Sequence, residues 1–211
     1  MTRHDKDQLD AALARHGLRV TGGFRPTPDD RIDAASLALV SPGAAFWGHF
    51  SRSPEYRDGA RDPLDRWSAR VLGALADVFG AVAHFPFGPT PGPFLAWARR
   101  SGAAWPSPVA LHVTESMGLD TSYRGALALP FDIAFRTGTS PCEGCTRPCL
   151  TACPAGALGG GGYDVARCQD YLRATPDRAC RQSGCLVRRA CPASLGQPPA
   201  QARFHMAAFL S

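Results

Sequence analysis

Eight cysteines lie between Cys142 and Cys191, and none stands elsewhere in the 211 residues. The first run reads Cys142-x2-Cys145-x3-Cys149-x3-Cys153-Pro154, Cys168 stands alone, and the second run reads Cys180-x4-Cys185-x5-Cys191-Pro192. Three chemistries use thiols at such density. Disulfides need an oxidising compartment. Zinc takes two four-cysteine sites from eight thiolates, but it pairs its cysteines as separated short knuckles rather than as four within twelve residues. Iron–sulfur clusters fit best. A cubane needs four converging thiolates, three from one tight loop and a fourth from elsewhere, with proline turning the chain away after it. In two-cluster ferredoxins the fourth cysteine of a run serves the other cluster.

That rule assigns Cys142, Cys145, Cys149 and Cys191 to cluster I and Cys153, Cys168, Cys180 and Cys185 to cluster II, with no cysteine left over. The gaps are wider than the bacterial C-x2-C-x2-C-x3-C-P run, most of all in the second run. Charge agrees with the count. Residues 1–141 carry 15 Lys/Arg against 14 Asp/Glu, whereas residues 142–211 carry 8 Arg against 4 Asp/Glu, so +4 of the formal +5 sits beside the cysteines. Two oxidised 4Fe–4S clusters, each about −2 with its thiolates, would offset that excess. The arginines then read as cluster neighbours, and nucleic-acid binding is not expected.

The elements that must hold these residues follow from pattern. At 45% hydrophobic and 19% charged, the chain has enough apolar residues for a core and too few charges for a disordered polymer. Gly 22 and Pro 19 forecast many turns and short elements. Helices are expected over Asp5–His16, over 63–79 between an Asp62 cap and Gly80, over Phe94–Arg100, and from about Pro199 to Leu210. Strands are expected at Leu18–Val20, closed by Gly22-Gly23, then at Ala35–Val40, Ala81–Phe85, Val109–Val113 and Arg124–Leu129. The stretch that follows the second of these strands, to about Arg61, reads as irregular, its Phe46-Trp47 and Phe50 as packing. The fold class is α+β: an α/β layer over residues 1–139, a ferredoxin-like dicluster domain over 140–195, and a last helix over 196–211 packing on the first domain. Gly159 to Gly162 reads as a flexible link rather than a phosphate loop.

With Arg167-Cys168-Gln169-Asp170-Tyr171-Leu172, the four–one–three cysteine order resembles the dicluster domain of epoxyqueuosine reductases. Those enzymes join two 4Fe–4S clusters to a cobalamin-binding domain related to nitroreductases. Upstream, Trp97 to Trp105 is similar to that family's tryptophan helix and glycine turn. Leu111-His112-Val113 through Gly118, with Arg124 to Pro130, is similar to its strand pair and to the strands of CblC-like cobalamin-processing proteins. The resemblance implies a nitroreductase-like first domain and makes Arg124, in a matched strand, a candidate cofactor contact. An ordinary sheet-edge salt bridge is its competing role. The family's catalytic aspartate falls on Gly88, which cannot donate a proton, and its Gly-Lys-Asn turn reads Ser107-Pro108-Val109. Epoxyqueuosine reduction and transfer-RNA binding are therefore not expected.

Other titratable groups are weaker signals. His16, His49, His84, His112 and His205 read as packing or surface histidines, and Asp132 and Glu115 as lone carboxylates. Arg188-Arg189 reads either as a docking patch or as charge offset near cluster I. The proline-broken stretch from Val78 to Ala98 cannot span a membrane, and Thr2 to Asp7 has no apolar run, so the expected location is the cytoplasm. The function expected is electron transfer through two 4Fe–4S clusters to a redox partner protein. The alternative is a cluster-fed reductase acting through a cobalamin or flavin on the first domain.

Overall fold

Leu9 and Leu13, four residues apart, give helix α1 (Arg3–Ala14) a buried side. The structure is a computed structural model and describes residues 3–159, 161–174 and 179–210. Thr2, the side chain of His4 and Gly160 of the glycine run lie outside the described residues. The chain groups into two units, Met1–Ala103 with Ser122–Thr137, and Ala104–Thr121 with Gly138–Ser211.

In the first unit, Gly17 at φ +68 turns the chain out of α1 into strand β1 (Leu18–Phe24). An added Cβ there would lie 2.6 Å from the Phe46 backbone, so only glycine fits. The strand does not close at Gly22-Gly23 as expected; it runs through them, with a register shift between Val20 and Gly22. Gly23 instead lets the Phe135 ring and the Leu37 carbonyl approach the backbone. These glycines serve close packing rather than a turn.

Strand β2 (Ser36–Pro42) is buried at every residue. The stretch expected to be irregular forms two short helices, α2 (Phe46–Phe50) and α3 (Pro54–Arg57). Ser53 caps α3 by accepting from the Tyr56 N–H at 3.2 Å. Helix α4 (Pro63–Phe79) buries Trp67, Val71, Leu72 and Leu75, and Trp67 meets Phe46 and Phe50 edge-on at centroid distances of 5.5 and 5.9 Å. Each such aromatic contributes about 1.5–3 kcal/mol by burial. Asp62 does not cap α4 with its side chain; it takes a left-handed conformation at φ 52, while Pro63 and Gly80 play the start and stop roles expected.

Strand β3 (Val82–His84) is shorter and more exposed than expected, with Val82 59% exposed. It lies at a sheet edge, where only one side is hydrogen-bonded. Helix α5 (Phe94–Arg100) matches its expected range. Next come β4 (Ala104–Pro106) and β5 (His112–Thr114), an antiparallel pair that belongs to the second unit. The chain returns to the first unit with β6 (Gly125–Leu129), buried throughout. The main sheet has the order β1-β2-β6-β3, and every pairing in it is antiparallel. The architecture is thus α+β with small antiparallel sheets, and the alternation of helices and strands does not produce parallel α/β layering. Antiparallel neighbours need no crossover helix between them.

The second unit continues with a hairpin of β7 (Leu158–Gly159) and β8 (Gly162–Tyr163), in which Gly159 pairs with Gly162 rather than lying in a link. Helices α6 (Val165–Ala174), α7 (Ala179–Ser183), α8 (Leu186–Ala190) and α9 (Pro199–Leu210) follow. The last helix, expected against residues 1–139, packs chiefly on α7 and α6 of its own unit. Gly184 lies close enough to Ala202 that an added Cβ would be 3.2 Å away. The boundary expected at 139/140 also moves, because residues 104–121 join the cysteine-bearing unit. No helix among the described residues is long and apolar enough to cross a membrane.

Candidate metal centre

The first cysteine run is shaped by turns rather than by regular structure. The Cys142 N–H donates to Ser140 Oγ at 3.3 Å and the Glu143 N–H to the Ser140 carbonyl at 3.0 Å. Gly144, at φ +71, reverses the chain so that the Cys145 N–H points back to the Cys142 carbonyl at 3.4 Å. Arg147 is left-handed at φ 56, and its N–H donates to Cys145 Sγ at 3.3 Å. A single 3₁₀ turn over Pro148–Leu150 then carries Cys149 into the interior.

The fourth member arrives from the far end of the unit. Helix α8 starts after Cys185 and ends at Cys191, whose N–H donates to the Arg188 carbonyl at 3.2 Å. Cys142, Cys145, Cys149 and Cys191 together line one cavity of about 400 Å³, whose apolar wall includes Val113 and Leu119. This is the set that the spacing assigns to one centre. Val109, Val113, Leu119, Cys149, Leu158 and Val187 form the buried apolar cluster behind it.

The other four thiols influence one another's ionisation. Burial pushes the Cys180 thiol up, and the charges of Cys185, Cys153 and Cys168 push it further. Burial likewise raises Cys168, against a hydrogen bond from the Tyr163 phenol that favours its thiolate, and Cys185 and Cys153 add to the rise. The Ala157 N–H donates to Cys153 Sγ at 3.2 Å. In the first group burial raises Cys142 and Cys149 in the same way, and each feels the charges of Cys145 and Cys191. All eight cysteines are free thiols, so no disulfide competes for them.

Such donors are soft thiols, partly buried and met by N–H groups, the surroundings that iron–sulfur centres use. Among the described residues no three His, Cys, Asp or Glu side chains stand around one metal ion. The donor set, four thiols lining one cavity with an N–H donating to Cys145 Sγ, fits a 4Fe–4S cluster.

Arg124, just before the interior strand β6, pairs with Asp65 at 3.8 Å, and its backbone N–H donates to the Val40 carbonyl at 2.8 Å. Burial lowers the Arg124 guanidinium and raises the Asp65 carboxyl. His84 meets the Trp97 ring edge-on, and burial lowers its pKa. Asp132 pairs with Arg25. Arg188 donates to the Leu119 carbonyl and Arg189 to Ser183 Oγ, so this pair is engaged within the unit. The sequence reading missed Tyr163, Asp120, Ser194 and the role of Gly118. All four act through partners remote in sequence or through a ring position that no local pattern signals.

No protein-family model matches the chain, and comparison with curated proteins gives no match.

Proposed function

We propose that the chain is an electron-transfer protein that holds two 4Fe–4S clusters, one in each group of four cysteines. The observation that carries this reading is the sorting of the eight thiols. Cys153 follows Cys149 in the same run yet groups with Cys168, Cys180 and Cys185, while Cys191 crosses over to the first run. That exchange of the last cysteine is the mark of two-cluster ferredoxins. When bound, each cluster would supply one-electron redox chemistry. The protein's own part is to exclude water and to aim donors at sulfur. Arg147 N–H on Cys145, Ala157 N–H on Cys153 and the Tyr163 phenol on Cys168 each stabilise negative charge on a ligand. The resemblance to epoxyqueuosine reductases in the cysteine order supports the same assignment. With Gly88 at the acid position, the chain has no proton donor there for that family's reaction.

The test is an anaerobic reductive titration followed by absorption. A carrier with two such centres takes up about two electrons per chain with no added cofactor. Uptake that appears only after cobalamin or flavin is added would instead favour the reductase reading, and no uptake would remove both.

A further inference from the structure

Resting on the two-cluster reading, we propose that the turn Met117–Asp120 is the positioning device for Cys191, so that assembly of the first centre depends on a segment outside the cysteine region. Four observations in the second unit converge there. The Leu119 N–H donates to Ser194 Oγ at 3.0 Å, and the Gly196 N–H donates to Asp120 Oδ2 at 2.9 Å. Arg188, one turn before Cys191, donates its guanidinium to the Leu119 carbonyl. Gly118 sits at φ +54 flush against the chain, where an added Cβ would lie 2.5 Å from the Ala193 carbonyl carbon.

The latch therefore holds the chain on both sides of Cys191, through Arg188 before it and through Ser194 and Gly196 after it. The turn itself is buried, while the residues it grips are half-buried at Arg188 and Ser194 and exposed at Gly196. Asp120 is 8% exposed, and a carboxylate so placed is held by the Gly196 N–H and the nearby Arg188 charge. Leu119, between the two gripping points, lines the cavity with Cys191 itself. Cys142, Cys145 and Cys149 come from one tight loop and are fixed by local turns. Cys191 has the end of α8 before it and one turn after it, the Ser194 N–H on its own carbonyl at 3.0 Å. The Met117–Asp120 turn ties both of these to the cavity wall. Of the second set, Cys153 lies in the turn before β7, Cys168 on α6, Cys180 on α7 and Cys185 at the start of α8, so they share at most the Arg188 contact, whereas the Asp120 contact with Gly196 lies beyond Cys191.

The experiment compares the wild-type chain with Asp120→Ala and Asp120→Asn after anaerobic reconstitution with iron and sulfide. Iron and sulfide are assayed, and low-temperature EPR of the reduced protein follows each centre. Asp120→Ala should lose about half the iron and sulfide while the EPR signal of the second centre persists. Asp120→Asn keeps an oxygen acceptor for the Gly196 N–H and should restore the full content. In the metal-free chains, hydrogen exchange at the Gly196 amide should speed about tenfold in Asp120→Ala, the factor for losing a charge-assisted hydrogen bond. If Asp120→Ala does not fold, Ser194→Ala removes only the acceptor for the Leu119 N–H and should show the same selective loss to a smaller degree. A full complement in a folded Asp120→Ala, or equal loss from both centres, overturns the inference. A wild-type chain that takes up no iron and sulfide overturns the two-cluster reading instead, and the inference falls with it.

Discussion

Cys185 and Cys191 bracket one short helix, the first just before it and the second at its end, yet they belong to different thiol groups. Six residues at the helical rise of 1.5 Å set their backbones about 9 Å apart. Helix α8 thus carries one thiol of each set at its two ends, and its buried Val187 belongs to the apolar cluster behind the first group. The first prediction follows from that bracket. Cys185→Ser and Cys191→Ser should each cost about half the iron, but from opposite centres, as EPR of the reduced proteins would show. Loss of the same signal in both variants would dissolve the assignment.

Cys168 stands outside both runs, and its thiol feels the charges of Cys153 and Cys185 and is felt by Cys180. Cys168→Ser should therefore remove the second centre and leave the first, whereas Cys142→Ser should do the reverse. An intact two-cluster spectrum in Cys168→Ser would show that this residue is no ligand.

The Tyr163 phenol donates to Cys168, and its ring is stacked on Phe209 of α9 at a centroid distance of 6.4 Å. Removing the hydroxyl in Tyr163→Phe removes a donor that stabilises the more negative, reduced state. The midpoint potential of the second centre should fall by about 40 mV, the one-electron equivalent of a hydrogen bond worth about 1 kcal/mol. The potential of the first centre should stay unchanged, which a spectroelectrochemical titration resolves.

Burial and neighbouring thiols hold Cys142, Cys149, Cys168 and Cys180 above the ordinary thiol value of 9.0. In the unfolded chain these groups ionise first, so above about pH 9 the folded state binds more protons and loses stability as pH rises. The metal-free chain should accordingly show a falling Tm as pH is raised through that range. Loading with iron and sulfide fixes thiolates and should abolish the dependence. A metal-free chain with a flat profile there would mean that the thiols are not buried as described.

Arg70 chelates Glu55 through Nε and through Nη2, the latter at 3.1 Å, and draws the Glu55 carboxyl down to about 2. A carboxylate lowered in the folded state stabilises it above its ordinary value of 4.5, and that contribution disappears as pH falls toward 2. Arg70→Met should cost about 1 kcal/mol at pH 7, given that Arg70 is half-exposed, and much less near pH 2. Denaturant unfolding at the two pH values measures the difference.

The convergence of Cys191 with Cys142, Cys145 and Cys149 on one cavity was legible because cysteine spacing is a local code read against a fixed stoichiometry. Buried strands at 36–42 and 125–129 were legible from their unbroken small and apolar residues. Gly22-Gly23 misled because a glycine that admits a neighbouring ring looks, in sequence, like one that makes a turn. The membership of residues 104–121 in the cysteine unit was not legible, since it rests on hydrogen bonds spanning about seventy-five positions, such as Leu119 to Ser194. The packing of α9 was missed for a related reason. Its apolar residues lie all round the helix and name no partner face.

The most direct measurement is iron and acid-labile sulfide per chain on anaerobically purified protein, read beside its absorption spectrum. The account predicts about eight of each, with a broad visible band that bleaches on reduction. Zinc in the thiol sites with no sulfide would contradict it and make the cysteine unit a structural staple.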